Sequence, residues 1–217
     1  MGQLADMGQL ADMGQLADMG LLSKGLRGRG AEPPSLTAVS ETPAKGTTCS
    51  EEECIMEIRF VTPEDNLSEI SSIYEKSWKY AYRGIIPQAY LDSIPEGRWA
   101  NSITKEGMHS LVMTDGGRMI GTASICRSRW EQHPDCGEIV SIYFLPAYIG
   151  KGFGKQLLER CIAELDRLGF RQILLWVLED NTRARRFYEK NGFLCTGEYL
   201  NDNIGGKALR EVMYTRG

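Results

Sequence analysis

A glycine-rich stretch, Pro146-Ala-Tyr-Ile-Gly-Lys-Gly-Phe-Gly-Lys155, has the residue types and spacing of an anion-binding turn. It lies between a predicted strand and a predicted helix. Glycines let the backbone approach a ligand closely, and the N–H groups of such a turn, together with the partial positive charge of a helix N-terminus, hold a pyrophosphate. The spacing fits neither a Walker A loop nor the dinucleotide-binding fingerprint. An ordinary strand-to-helix turn is the alternative.

A second segment, residues 181–193, begins directly after a run of six apolar residues. Its pattern resembles a signature of the GNAT superfamily of acyl-CoA-dependent N-acetyltransferases. The matching positions are Asn181, Ala184, Tyr188, Gly192 and Phe193. In the first stretch, Gly152 and Gly154 match the pyrophosphate loop of the same family, with Ile149 where the family has Gln or Arg. Together with the order of elements, the resemblance covers residues 56–217.

The resemblance implies an α/β fold in three layers, with a mixed, mostly antiparallel sheet of about seven strands and helices on both faces. It implies that a central parallel pair of strands splays apart to hold acetyl-CoA, the co-substrate, whose acetyl group passes directly to a primary amine of a small molecule or peptide. The implied cofactor contacts are the strand residues Ile142, Tyr143 and Phe144, the loop residues Ile149, Gly150, Lys151, Gly152, Phe153, Gly154 and Lys155, and also Asn181 and Arg186.

Two protons move in such a transfer, one from the attacking ammonium and one to the departing thiolate. The resemblance implies that Tyr188 is the general acid, and a tyrosine suits this role because it is neutral at pH 7. It also places Glu138, near the start of the fourth strand, where many family members have a carboxylate that accepts the amine proton through water. Asp135 or Glu131 are alternatives for the base, and a packed core aromatic is the alternative for Tyr188.

The sequence leaves the identity of the acceptor undecided, together with the roles of two groups of residues near the site. A dense basic cluster either faces the cofactor phosphates or forms a solvated helix surface. It comprises Arg183, Arg185, Arg186, Lys190, Lys151 and Lys155. Trp78, Tyr82 and Tyr90 either wall an amine pocket or belong to the core. A protein N-terminus, a lysine, a polyamine, an amino acid and an aminoglycoside all fit as acceptors. The rival functions are a non-catalytic acyl-CoA sensor and a nucleotide-binding regulator.

Composition narrows the class of protein. The chain has 217 residues, of which 42% are hydrophobic and 25% charged, and its formal net charge is -4. Such a chain has no cationic field to hold a polyanion and no apolar run long enough to span a membrane, so nucleic-acid and membrane partners are not expected. Its six cysteines form no C-x-x-C pair and only two histidines accompany them, which predicts no metal and a cytoplasmic location. A homodimer remains compatible with these features.

The chain divides into a biased N-terminal extension and one domain. Three identical copies of Met-Gly-Gln-Leu-Ala-Asp fill residues 1–18, and linker composition rich in Gly, Pro, Ser and Thr continues to residue 55. We expect residues 1–55 to be an appended or disordered extension with no part in catalysis. Residues 56–217 are predicted to form the N-acetyltransferase domain.

Hydrophobic periodicity predicts the element order β-α-α-β-β-β-α-β-α-β-β in that domain. The first helix is expected to begin after Thr62 as its N-cap, with Pro63 in its first turn. The segment 138–178 reads as a strand, helix and parallel strand joined by one crossover. The predicted strands are 57–61, 109–114, 118–126, 138–145, 173–178, 193–200 and 207–215, and the predicted helices are 62–82, 88–94, 153–168 and 182–190.

Overall fold

The computed structural model describes residues 56–217, so the predicted extension 1–55 lies outside the described residues. The strands are β1 Met56–Phe60, β2 His109–Asp115, β3 Arg118–Arg127, β4 Gly137–Phe144, β5 Ile173–Leu178, β6 Leu194–Ile204 and β7 Lys207–Arg216. The helices are α1 Leu67–Ala81, α2 Gln88–Ser93, α3 Ala100–Ile103, α4 Phe153–Arg167 and α5 Thr182–Lys190. Within these residues, no helix combines the length and apolar character that crossing a bilayer requires.

All seven strands belong to one sheet in the order β1-β2-β3-β4-β5-β7-β6. Only β4 and β5 are parallel, and α4 connects them, which confirms the predicted crossover and the mixed, mostly antiparallel sheet. β5 and α5 have the predicted bounds, because a continuous apolar run and a capped amphipathic segment mark their ends clearly. β6 extends further than predicted, since residues 201–204, of which the first three are polar, pair with β7 up to the Gly205-Gly206 turn.

The sheet carries apolar side chains on both faces, as alternation along β5 shows. Leu175 and Val177 pack with the residues of α4 in one core cluster, and we call this side the α4 face. Leu178 packs with the residues of α1 in a second cluster, and we call that side the α1 face. Because successive strand residues point to opposite sides, Leu174 and Trp176 also lie on the α1 face. β5 is therefore covered on both sides, as its composition predicts.

The start of α1 corrects the prediction made from Thr62 and Pro63. The N-cap is Asn66, whose side chain accepts hydrogen bonds from the backbone N–H groups of Ser68 and Glu69. Asp65 instead accepts two hydrogen bonds of 2.7 Å from the guanidinium of Arg59 on β1, and a third from the backbone N–H of Thr62. The contact with Arg59 lowers the pKa of Asp65 to about 2. The helix begins later than predicted because the ion pair holds residues 62–65 in a turn.

The four-residue helix α3 was not predicted, and it has no side-chain cap.

Gly121 on β3 lies opposite Phe144, the last residue of β4, and the phenyl ring covers it. A Cβ atom at Gly121 would lie only 2.4 Å from Cε1 of Phe144. At Gly154 in α4 the nearest atoms to an added Cβ are those of Phe187, at 3.6 Å, which is ordinary contact.

We expect Gly121→Ala to lower the free energy of unfolding by about 1–3 kcal/mol, because the core must shift around the displaced Phe144 ring. The matched change Gly154→Ala should leave stability unchanged or slightly raised, since alanine favours a helix. Urea unfolding followed by circular dichroism measures both. Equal stability of wild type and Gly121→Ala would contradict the close packing described for this pair.

Candidate active site

β4 and β5 separate soon after they meet. They pair only at Gly137 with Ile173 and at Glu138 with Leu174. Beyond these pairs, β4 continues along β3 while β5 continues along β7 to Leu178. The register between β3 and β4 shifts so that Val140 is an extra residue, a bulge that bends β4. The bend leaves a wedge-shaped gap between the two parallel strands.

The gap exposes one backbone edge of β4. The three residues predicted to contact the cofactor pair with β3 on their other edge and have no β5 partner in the described sheet; they are Ile142, Tyr143 and Phe144. An unpaired strand edge presents N–H and C=O groups to an extended ligand. The structure thus provides the backbone edge that the prediction requires.

The glycine-rich turn lies at the carboxyl end of β4, at the mouth of the gap. Gly150 and Gly152 have φ of 84° and 93°, which favours glycine at both positions. A Cβ atom added at either residue would meet nothing within 4 Å, so the space in front of the turn is open. Gly152 is the N-cap of α4, whose first turn carries neither a side-chain cap nor an acidic residue. The helix therefore directs unneutralised N–H groups at this space.

The other loop residues have mixed environments. Phe153 is partly buried and its ring lies 5.9 Å from that of Tyr148, and Ile149 is also partly buried against the core. The ammonium of Lys151 lies 5.2 Å from the Tyr148 ring centroid. Lys155 is exposed and forms a 3.6 Å ion pair with Glu159, leaving its charge accessible to solvent.

The segment 181–193 positions α5 beside the gap. The Asn181 side chain is buried and accepts a hydrogen bond of 3.2 Å from the backbone N–H of Ala184. Asn181 therefore fixes the start of the helix through its cap. Arg185 donates to the hydroxyl of Tyr214 and to the carbonyl of Glu179, so this member of the basic cluster has a structural contact. Arg186 is exposed.

Tyr188 faces the core from α5. Its ring centroid lies 5.2 Å from that of Phe187 and 5.8 Å from that of Phe193, both in edge-to-face arrangements. Burial raises the pKa of the Tyr188 hydroxyl well above its ordinary value, and the nearby Tyr82 raises it further. The hydroxyl is consequently protonated at neutral pH, and the packed ring holds it in one position. Core packing and proton donation are compatible here.

Glu138 is buried at the closed end of the gap, and its carboxylate is occupied. Arg129 donates to it from the backbone N–H, from Nε and from Nη2, at 3.0, 3.1 and 2.6 Å. Trp130 adds its indole N–H at 3.4 Å. These four donors occupy both carboxylate oxygens of Glu138. The alternatives Glu131 and Asp135 are exposed, and Asp135 lies 3.4 Å from the guanidinium of Arg127.

Tyrosine and tryptophan side chains from α1 and β4 line the α1 face beside the gap. Trp78 and Tyr82 are buried, with ring centroids 5.0 Å apart. Tyr143 packs 4.9 Å from Tyr74. Burial raises the pKa of Tyr82 to about 12 and raises that of Tyr143 well above its ordinary value. Tyr90, also predicted to contact an acceptor, packs at the β6–β7 turn near Gly205.

Sequence reasoning missed Glu211 on β7. Its side chain is only 2% exposed, and Oε1 has no hydrogen-bond partner among the described residues. Burial and the nearby Asp202 raise the pKa of Glu211 to about 8, although Arg129 opposes the shift. Glu211 lies on the same buried face of β7 as Leu209 and Met213. Its position in this alternation of every second residue could have indicated from the sequence that the side chain is buried.

Comparison with known proteins identifies the family. The sequence model of the acetyltransferase (GNAT) family matches residues 68–193. A relative named as an uncharacterised N-acetyltransferase, YuaI of Bacillus subtilis, is 31% identical over 152 residues, which are 68% of this chain and 86% of the relative. The chain belongs to the GNAT acetyltransferase family. As a GNAT protein, it is an acetyl-CoA-dependent acyltransferase.

Other comparisons agree with the GNAT assignment. The spermidine N(1)-acetyltransferase of Thermoplasma acidophilum is 28% identical, and the alignment covers 73% of this chain and 98% of that protein. The PaiA N-acetyltransferase of the same organism, solved in complex with coenzyme A, superposes with a TM-score of 0.61 at 23% identity. That superposition covers 75% of this chain and 98% of PaiA and supports the GNAT fold.

The buried Glu211 makes the stability of this GNAT protein depend on pH. Its pKa rises from an ordinary value of 4.5 to about 8 on folding, so the folded state binds the proton more tightly. This contribution to stability is fully present below pH 4.5 and is lost as the pH rises to 8. The loss is at most about 1.4 kcal/mol per pH unit.

We therefore expect Glu211→Gln to flatten the fall in the free energy of unfolding between pH 5 and 8, as measured by urea unfolding at several pH values. The control is Glu57→Gln, which alters an exposed carboxylate on β1 at the other edge of the sheet. It should keep the wild-type slope. Parallel curves for wild type and Glu211→Gln would contradict the burial argument.

Proposed function

We propose that this chain transfers the acetyl group of acetyl-CoA directly to a primary amine of a small molecule or peptide, within the gap between β4 and β5. The observation that carries the proposal is the combination of the gap, the open glycine turn at its mouth and a protonated tyrosine beside it. The related structures solved with coenzyme A or acetyl-CoA support the same co-substrate.

In this proposal the backbone holds most of the cofactor. The N–H groups of residues 150–154 and the N-terminus of α4 bind the pyrophosphate, so the missing Gln or Arg at Ile149 is not required. The open edge of Ile142–Phe144 pairs with the amide groups of the pantetheine arm. The exposed ammonium and guanidinium groups of Lys151, Lys155 and Arg186 stand near the turn and helix and neutralise phosphate charge.

The chemical step needs a proton acceptor and a proton donor. Tyr188 donates a proton to the departing thiolate, which suits a hydroxyl that burial keeps protonated. Glu138 stays the proposed base, acting through water. For Glu138 to accept a proton, its ion pair with Arg129 has to loosen, because four donors occupy its oxygens. Arg129 thus controls whether a water can reach the carboxylate of Glu138.

The first prediction of this proposal concerns the glycine turn. Gly152→Asp should weaken acetyl-CoA binding at least about tenfold, because a carboxylate and a Cβ would enter the open space in front of α4. Gly169→Asp is the matched control, since Gly169 has nearly the same φ, 90°, and open space at the other end of α4. Isothermal titration calorimetry measures both. If folded Gly152→Asp binds acetyl-CoA with wild-type affinity, the glycine turn is not part of the binding site.

The second prediction concerns catalysis. Wild type should release coenzyme A thiol from acetyl-CoA in the presence of some members of a panel of primary amines. Tyr188→Phe should bind acetyl-CoA normally while kcat falls about 10²- to 10⁴-fold, because only the hydroxyl is lost. Tyr199→Phe, at an exposed tyrosine on β6, should behave as wild type. Binding of acetyl-CoA without thiol release for any amine would instead favour the non-catalytic sensor.

A further inference from the structure

The side chain of Glu211 has an unusual combination of charge and surroundings. Along β7 it lies between Leu209 and Met213, which belong to the buried apolar clusters of the α1 face. Across the ladder it pairs with Leu178 on β5 and with Leu200 on β6. Burying a carboxylate in apolar surroundings costs several kcal/mol unless a partner compensates it. Oε1 has no such partner among the described residues.

The charges around Glu211 favour a cation as that partner. Asp202 lies on the same face of the sheet, because its pair with Leu209 is two residues along the ladder from the pair between Leu200 and Glu211. The cation that acts on Glu211 is Arg129, and Glu138 already pairs with it at 2.6 Å. Lys207, on the same face of β7, donates to the backbone carbonyl of Ile85. Glu211 and Asp202 are therefore two carboxylates in one region of the α1 face whose neighbouring cations have contacts of their own.

Glu211 lies one strand away from the gap. The gap lies between β4 and β5, whereas Glu211 is on β7, on the far side of β5. Neighbouring strands are about 4.8 Å apart, so Glu211 is set back from the gap by at least that distance. Between them lie Trp176 and Leu178 of β5, whose apolar side chains belong to the clusters of the α1 face.

We propose that Glu211 binds the second ammonium group of an alkyl diamine or polyamine acceptor while the first amine is acetylated in the gap. This inference rests on the proposed function and specifies its acceptor class. The buried carboxylate selects an acceptor with two positive charges, whose methylene groups span the distance from the gap to Glu211. Glu211 is a specificity residue in this arrangement, whereas Tyr188 and Glu138 serve the reacting groups.

The binding of the second ammonium also displaces a proton. In the free protein the Glu211 carboxyl is largely protonated at neutral pH, since its pKa is about 8. The groups that influence it are Asp202, which favours the protonated form, and Arg129, which favours the ionised form; the neutral hydroxyl of Tyr82 also lies near. An incoming ammonium stabilises the carboxylate, so one proton leaves to solvent. Diamine binding should therefore tighten between pH 6 and 8.

The test compares 1,4-diaminobutane with n-butylamine, which has the same chain and one charge. With wild type, the KM for the diamine should be at least about tenfold below that for the monoamine, because two oppositely charged groups meet in a desolvated site. Glu211→Gln should remove this difference by raising the diamine KM, with kcat and the KM for acetyl-CoA unchanged. Glu211→Asp, which keeps the charge on a shorter side chain, should restore part of the preference.

The controls separate this inference from the proposed function. Glu57→Gln should keep the wild-type preference, and Glu138→Gln should lower kcat for both amines alike. Equal KM values for the two amines in wild type, or an unchanged preference in Glu211→Gln and Glu211→Asp, would overturn the role of Glu211 while leaving the acetyl transfer intact. Absence of thiol release with these and every other primary amine would instead overturn the proposed function.

Discussion

The separation of β4 from β5 after two residue pairs is the constraint on which the site depends. Parallel strands normally continue to hydrogen-bond along their shared length, so an early separation leaves backbone groups without partners. The bulge at Val140 bends β4, which stays paired with β3, while β5 stays paired with β7 on its other side. The facing edges of β4 and β5 beyond Glu138 and Leu174 therefore have no strand partner in the described sheet. The open edge of β4 is the one to which the proposed function assigns the pantetheine arm.

The helices around the gap fix the positions of the glycine turn and of Tyr188. α4 begins at the gap mouth with a glycine N-cap. Phe187 of α5 lies beside it, since a Cβ atom added at Gly154 would be 3.6 Å from the Phe187 ring. Asn181 sets where α5 begins, and Tyr188 follows two turns later on the side that faces the core. Because both helices pack on the same apolar cluster, the turn and the tyrosine keep a fixed spacing. Rigid neighbours of this kind are what proton transfer needs.

Much of this arrangement was predictable from the sequence, and the failures have physical causes. α4, β5 and α5 follow from local periodicity and caps, and the two glycine-containing patterns identify the family. The start of α1 was missed because Asp65 pairs with Arg59, a contact between elements that local patterns do not report. The hydrogen bonds from Arg129 to Glu138 were missed for the same reason, because local sequence patterns do not report contacts between elements. Glu211 was overlooked because a single glutamate in a strand usually faces water, although its alternation with Leu209 and Met213 placed it on the buried face.

The alternation of side chains along β5 has an evolutionary consequence. Leu175 and Val177 support the face on which the glycine turn and α5 are built, while Trp176 and Leu178, the residues between and after them, belong to the opposite face. Mutations on one face therefore change few contacts on the other. A lineage can therefore vary the side chains on one side of this strand while those that pack with α4 and α5 on the other side are retained.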